Sequence, residues 1–146
     1  MENHVIIAGF GVGGRFIAEH LREERMDYVI VELNPRTCRV QEDLGAEVVE
    51  GDIREEHVLR AAGIGSASVL ALAIPDEEAA VEATATANRL KPSIHIIAAT
   101  RYTSTGLKAL QQGADEVIVA EQAVAREFCR RIEKLMMAAP GGGPRV

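Results

Sequence analysis

The stretch His4-Val-Ile-Ile-Ala-Gly-Phe-Gly-Val-Gly-Gly14 decides the fold. Its first half is a short β-branched run, which predicts a buried strand. Gly9, Gly11 and Gly14 then follow in the order G-x-G-x-x-G, directly before a segment of helical composition. In that context the first glycine allows a tight turn, the second lets the backbone approach a pyrophosphate, and the third allows close helix–strand packing. The alternative is a glycine-rich turn without a ligand.

The rest of the chain repeats this strand–helix unit. Because nearly continuous apolar strands alternate with helices, we expect a parallel sheet with helices on both faces, and right-handed crossovers permit few windings. The pattern predicts an α/β fold, a Rossmann-like doubly wound parallel six-stranded sheet of order 3-2-1-4-5-6. The predicted strands are 4–8, 28–32, 47–50, 68–74, 94–98 and 116–119, and the predicted helices are 12–24, 35–43, 55–62, 76–90, 103–112 and 121–137.

Length and composition indicate one domain. The 146 residues fit a single core, with a nucleotide-binding domain over 1–137 and a Pro/Gly-rich tail over 138–146 that is expected to be disordered or a truncated linker. No apolar run approaches the ~20 residues of a membrane span, and the first ten residues do not resemble a signal peptide. The chain is expected to be cytoplasmic.

Charge and cysteine usage exclude several classes of site. The net charge of −6 argues against a nucleic-acid partner. Cys38 and Cys129 stand alone, and neither they nor the four histidines have metal-ligand spacing. No metal site is predicted from these residues.

Glu32 is the second ligand candidate. It ends the second predicted strand, eighteen residues after Gly14, where a dinucleotide fold places the acid that binds ribose hydroxyls. A carboxylate there repels a 2′-phosphate, which favours NAD or an adenosine nucleotide over NADP. Arg36 keeps the phosphate option open, and a plain strand-end surface acid is the other interpretation of Glu32.

Three further turns follow strands at the same edge of the sheet. Gly51-Asp52-Ile53 lies beside the second strand, where Asp52 either accepts from an adenine amino group or serves as a turn residue. Ile74 and Pro75 are apolar enough to cover a base or sugar, while the adjacent Asp76 is expected to cap the next helix. Arg101 either meets a phosphate or is a solvated surface arginine.

Together these residues resemble the N-terminal domain of the regulators of potassium conductance, also called the KTN or TrkA-N domain. The resemblance covers about residues 4–135. The stretches that carry it are Gly9 to Gly14, Glu32-Leu33-Asn34-Pro35, Gly45 to Asp52, Ala73-Ile74-Pro75-Asp76 and Gly113 to Ile118.

The resemblance implies a cytosolic regulatory module without catalytic turnover. It implies binding of NAD(H) or AMP, ADP or ATP, assembly as homodimers or rings, and control of a potassium channel, uptake system or potassium/proton antiporter at the inner face of the membrane. In the family the glycine loop holds phosphates, the residue matching Glu32 holds the ribose, and those matching Asp52 and Ile53 hold the adenine. The candidate ligand-binding residues are Gly9, Phe10, Gly11, Val12, Gly13, Gly14, Glu32, Leu33, Asn34, Gly51, Asp52, Ile53, Ile74, Pro75 and Arg101.

Some positions depart from the family pattern. Where some members carry an arginine inside the glycine loop, this chain has Val12, and Arg15 falls just after the third glycine. ATP/ADP discrimination by that arginine is therefore not expected. The residues after the fifth strand offer no carboxylate for the calcium site of certain channel members. Glu121 matches an acidic residue that lies near phosphates at the dimer interface of some uptake regulators, and it is the one weak metal candidate.

Two other functions compete with regulation. A small NAD-dependent oxidoreductase would need an acid or base beside the nicotinamide, and the four histidines fit core or surface positions better. A sugar- or CoA-binding Rossmann module explains Glu32 and Asp52 less well. Finally, the last helix carries an apolar stripe, Val124, Phe128, Ile132, Leu135 and Met136, that packs either on its own sheet or on a second copy of the chain.

Overall fold

The computed structural model describes residues 1–138 as a strict alternation of strands and helices. Beyond Ala138, the expected tail or linker lies outside the described residues. No helix in that part of the chain is long and apolar enough to cross a membrane. The elements are β1 (Val5–Ala8), α1 (Val12–Glu23), β2 (Tyr28–Glu32), α2 (Pro35–Asp43), β3 (Val48–Glu50), α3 (Glu56–Ala61), β4 (Val69–Leu72), α4 (Glu77–Leu90), β5 (His95–Thr100), α5 (Thr103–Gln111), β6 (Glu116–Val119) and α6 (Ala120–Met137).

The six strands form one parallel sheet in the order β3-β2-β1-β4-β5-β6, which confirms the predicted winding. The order reverses between β1 and β4. A crevice opens at the carboxyl ends of the strands at such a reversal, and this is where open α/β sheets bind ligands.

The direction of winding decides which face each helix covers. Because β1, β2 and β3 advance one way across the sheet, right-handed crossovers place α1 and α2 on one face. The chain then crosses back, so α3, α4 and α5 cover the opposite face. The two cores agree with this division: one joins Ile7 and Ile30 to Ala18 and Leu21 of α1, and the larger joins Leu70 and Ile96 to residues of α3, α4 and α5.

This winding leaves half of one face without a helix. On the α1 side, the strands β4, β5 and β6 present five apolar residues that are half-buried or exposed, with Ile118 at 52% exposure. We call this set the uncovered face; its members are Val69, Ala71, Ile97, Ala99 and Ile118.

The last helix does not cover that face. No residue of α6 is buried, and the predicted apolar stripe is exposed at Val124 (56%), Phe128 (66%), Ile132 (54%) and Leu135 (74%). The interpretation in which α6 packs on its own sheet is therefore wrong for this structure. Both an apolar helix face and an apolar sheet face remain open.

Candidate functional site

The glycine loop forms the floor of a cleft at the switch point, and two of its glycines are required by close approaches. Gly9 has φ +88°, and a Cβ there would lie 2.7 Å from Ile74 Cγ2 and 2.9 Å from the Ala73 carbonyl oxygen. At Gly14 a Cβ would lie 2.1 Å from the Gly9 carbonyl oxygen. The third glycine thus sets the helix-to-strand distance, as the sequence predicts.

The N-terminus of α1 faces this cleft without a side-chain cap. Its N-cap residue is Gly11, and a Cβ at Gly11 or Gly13 would meet nothing within 4 Å. The first backbone N–H groups of a helix lack intrahelical partners, and the helix dipole adds partial positive charge at this end. The loop therefore offers an anion site made of backbone donors.

Glu32 is held beside the glycine loop by backbone donors. Its Oε1 accepts from the Phe10 N–H at 3.3 Å, and its Oε2 accepts from the N–H groups of Leu33 at 2.6 Å and Asn34 at 3.3 Å. An ionised carboxylate only accepts hydrogen bonds and has about four acceptor positions. Glu32 retains capacity for hydroxyl donors and disfavours a phosphate.

Asp52 lies on the other side of Glu32, in the loop after β3, and it is paired with Arg54. The Arg54 Nη2 is 2.6 Å from Asp52 Oδ2, and the Arg54 backbone N–H donates to Oδ1 at 2.9 Å. The hydrogen bonds from Arg54 lower the pKa of Asp52 below its ordinary value. Asp52 forms the predicted turn and also lines the cleft, so its role as a turn residue is confirmed and its contact with an adenine amino group stays a prediction.

The segment after β4 forms the opposite wall. Ile74 and Pro75 line the cleft as expected, and Asp76 caps α4 by accepting from the Ala79 N–H at 3.1 Å. Ala99 of β5 also lines the cleft. An apolar wall opposite polar loops suits a flat base or a sugar ring.

The cleft measures about 640 Å³ and brings together all of the predicted ligand-binding residues except Gly14, Asn34 and Arg101. Gly14 acts through packing. Asn34 instead caps α2, accepting from the Arg36 N–H at 2.9 Å. Arg101 lies beyond the cleft lining, and its backbone N–H donates to Glu77 of α4.

Two further charged residues bear on the site: Glu121, which the sequence named as a metal candidate, and Arg54, which it did not name. Glu121 is exposed in the first turn of α6, and residues 1–138 contain no group of three His, Cys, Asp or Glu side chains placed to hold a metal ion. Arg54 is a charged residue that lines the cleft, and the sequence pattern did not identify it as part of the site. An Asp-x-Arg spacing in a loop does not tell whether the two side chains meet.

Comparison with known proteins identifies a family. The model of the TrkA-N domain family matches residues 5–120. Relatives at 28% identity are a putative cation/proton antiporter, YbaL, of Escherichia coli, matched over 90% of this chain, a potassium channel protein of Methanocaldococcus jannaschii over 81%, and a Trk system potassium uptake protein TrkA homolog of Pyrococcus horikoshii over 88%. The chain spans 24%, 36% and 58% of their respective lengths.

Solved structures agree with the fold. The crystal structure of the TrkA-N domain of YbaL superposes with a TM-score of 0.88 at 27% identity, covering 91% of this chain and 98% of that one. The GsuK channel bound to NAD gives 0.77 at 21% identity, covering 98% of this chain and 25% of that one. An AMP-bound form of the Kef C-terminal domain of Shewanella denitrificans gives 0.76 at 24% identity, covering 91% and 80%.

Proposed function

This chain belongs to the TrkA-N domain family, and on that premise we propose that it is a regulatory domain that binds NAD(H) or an adenine nucleotide and controls a potassium channel, uptake system or potassium/proton antiporter. One observation supports these ligands: the uncapped N-terminus of α1 and the Glu32 carboxylate face the same cleft. Backbone donors suit phosphates and the carboxylate suits ribose hydroxyls. Bound NAD and AMP in two proteins of similar fold support the same ligand classes.

Glu32→Ala tests this proposal by calorimetry with NAD and AMP. Loss of charged hydrogen bonds should weaken binding by about 1.5–3 kcal/mol, which is on the order of ten- to 150-fold in Kd. The matched control is Glu47→Ala, since Glu47 is an exposed acid just before β3, at the far end of the same strand pair. Equal affinity in Glu32→Ala and the parent would remove the ribose assignment.

NADP provides a second test of the same carboxylate. A 2′-phosphate would meet the negative charge of Glu32, so NADP should bind more weakly than NAD. Arg36, the alternative phosphate partner, is exposed on α2 and is not among the residues that line the cleft. If NADP binds more tightly than NAD, Arg36 and not Glu32 would determine which ribose the cleft accepts.

We also propose that the bound nucleotide is sensed and not turned over. The residues of the cleft include carboxylates and one arginine, and no histidine or cysteine lines it within residues 1–138. Purified protein should therefore give no enzyme-proportional oxidation of NADH with a panel of hydride acceptors. Sustained oxidation would favour the oxidoreductase alternative.

The proposed route of regulation is self-association through α6. The exposed stripe of α6 and the uncovered face are two apolar surfaces on one molecule, and burying each against a second copy satisfies both. Contiguous exposed apolar surface of this kind is otherwise an aggregation hazard. The proposed homodimer would bury the α6 stripe of each copy against the uncovered face of the other.

Light scattering at micromolar concentration should report a dimer or larger species. Phe128→Asp with Ile132→Asp should give a folded monomer, because carboxylates cannot be buried unpaired at an apolar interface. The matched control, Arg126→Asp with Lys134→Asp, adds the same two acids away from the stripe. A parent that remains monomeric would contradict the assembly.

The membrane partner is proposed from the relatives, which are named as channels, uptake proteins and antiporters. The chain would act at the cytoplasmic face of the membrane through that partner. Affinity purification from detergent-solubilised membranes of the source organism, followed by mass spectrometry, should recover a cation channel or transporter. Recovery that depends on added nucleotide in the parent but not in Glu32→Ala would connect the partner to the cleft.

A further inference from the structure

Arg54 carries the one side-chain cation among the cleft-lining residues of the described chain, and its contacts are directed at Asp52. Its Nε lies 3.0 Å from Oδ1 and 3.1 Å from Oδ2, while Nη2 lies 2.6 Å from Oδ2. The Arg54 backbone N–H adds a fourth contact, at 2.9 Å to Oδ1. This is a two-pronged pair, which fixes the plane of the carboxylate as well as its position.

The pair contributes little to the stability of the fold. The Arg54 side chain is 42% exposed and the Asp52 side chain 23%, and ion pairs at this exposure contribute little net stability. A second contact, 3.6 Å from Arg54 Nη1 to Glu82 Oε2, joins the same arginine to α4. Arg54 therefore contacts two carboxylates, those of Asp52 and Glu82, and is itself one of the residues that line the cleft.

The consequence for Asp52 concerns its remaining acceptor capacity. An ionised carboxylate has about four acceptor positions, and Arg54 supplies three donors, the backbone N–H, Nη2 and an Nε that both oxygens share, so about one position stays open to a ligand. What remains is an acceptor with no donor of its own, because an Asp carboxylate is ionised at neutral pH, and the contacts from Arg54 fix its orientation. Such a group pairs with an N–H of a ligand and repels a carbonyl oxygen.

We propose that Arg54 is a positioning residue that holds the Asp52 carboxylate opposite the 6-position of a bound purine, so that the cleft selects 6-amino purine nucleotides over 6-oxo purine nucleotides. The inference rests on the proposed function, because it requires that the cleft bind a purine nucleotide. The family resemblance assigns no role to residue 54. The inference attributes the choice between 6-amino and 6-oxo purines to the Arg54–Asp52 pair and not to Asp52 alone.

The experiment measures AMP and IMP binding by calorimetry in the parent, Arg54→Ala and Arg54→Lys. These two nucleotides differ at the 6-position, where AMP has an amino group and IMP a carbonyl, and at N1, which is an acceptor in AMP and an N–H donor in IMP. A carboxylate held opposite the 6-position therefore favours AMP, whereas one free to move can also pair with N1–H of IMP. The parent should prefer AMP, and Arg54→Ala should reduce the AMP/IMP preference by about tenfold, mainly through weaker AMP binding. Arg54→Lys should restore part of it, since an ammonium keeps the charge but cannot form the two-pronged pair.

Arg60→Ala is the matched control. Arg60 forms an exposed pair with Glu56 at 2.8 Å on α3, outside the cleft lining, so its removal should leave the preference unchanged. Asp52→Asn should abolish the preference, because an amide can donate to a 6-carbonyl. A merely structural role for Arg54 would weaken AMP and IMP alike.

Each result decides between the two proposals. If the parent binds neither NAD nor AMP, the proposed function fails and this inference fails with it. If the parent binds AMP but does not prefer it over IMP, the inference alone is wrong. An unchanged preference in Arg54→Ala also overturns it, as does tighter AMP binding in that variant, which would mean that Arg54 competes with the ligand for Asp52.

Discussion

The β1–α1–β2 unit and the β6–α6 unit come from similar strand–helix patterns, yet they are packed in opposite ways. Ile6, Ile7 and Ala8 of β1 are 0% exposed, and α1 buries three residues. In β6 exposed residues alternate with half-buried ones, and α6 buries none. The cleft is built on the fully packed unit, which keeps its geometry fixed, while the open unit retains apolar surface for contact outside the chain.

Gly14→Val should have the largest effect of the changes considered. The new Cβ would lie 2.1 Å from a backbone oxygen, so strand and helix must separate. Overpacking typically costs about 1–3 kcal/mol, and a backbone neighbour that cannot move places this site at or above the top of that range. We expect loss of cooperative unfolding, measured by circular dichroism in urea.

Gly13→Ala is the neighbouring control. A Cβ there meets nothing within 4 Å, and alanine in a helix is about 0.5–1 kcal/mol more stable than glycine. The variant should therefore unfold at a higher urea concentration than the parent. Equal effects of the two substitutions would contradict the close packing of the packed unit.

Ile30→Ala and Ile132→Ala make the same chemical change in the two units. Ile30 is 1% exposed in β2 and Ile132 is 54% exposed in α6. The first should lower the free energy of unfolding by about 2–5 kcal/mol through lost burial and a cavity. The second should change it by no more than about 0.5 kcal/mol in the monomer. Urea midpoints of both variants are measured in a Phe128→Asp background, which retains Ile132 and disfavours association.

The helix that follows the packed unit, α2, begins with a side-chain cap, which neither α1 nor α6 has. Asn34 caps α2 by accepting from the N–H groups of Arg36 and Thr37, at 2.9 and 3.4 Å, whereas α6 has no side-chain cap. Asn34→Ala should cost about 1 kcal/mol, and Asn34→Asp should retain nearly all of the stability. If the alanine and aspartate variants unfold alike, the cap does not stabilise α2. Nucleotide affinity should be unchanged in both variants, because Asn34 does not line the cleft.

The sequence predicts the packed unit better than the open one, for physical reasons. The period of the apolar runs and the glycine spacing are local signals, and they place all six strands, the winding and Gly9, Gly14 and Glu32 where the structure has them. The Arg54–Asp52 pair depends on two side-chain conformations, which no spacing specifies. The stripe of α6 marks a face that must be covered, but periodicity does not say by which surface.

The smallest expected effect concerns the attachment of β6, the edge strand of the open unit. His95 begins β5 and Glu116 begins β6, and His95 Nε2 lies 2.5 Å from Glu116 Oε2. This hydrogen bond, with the nearby charge of Asp115, raises the pKa of His95 above its ordinary value of 6.5. A raised pKa in the folded state means that the pair stabilises the fold fully below about pH 6.5 and loses that contribution as the pH rises through the raised pKa. Parent and Glu116→Gln should therefore differ most in Tm near pH 5.5 and converge toward pH 9, while the NMR titration of His95 moves to a lower pH in the variant. Glu47→Gln, which removes an exposed acid from the other side of the sheet, should show no such convergence. A Tm difference that stays constant across this range would mean that the His95–Glu116 pair does not help to attach β6, and that its backbone ladder and the packing of Val117 hold this strand without a pH-dependent contribution.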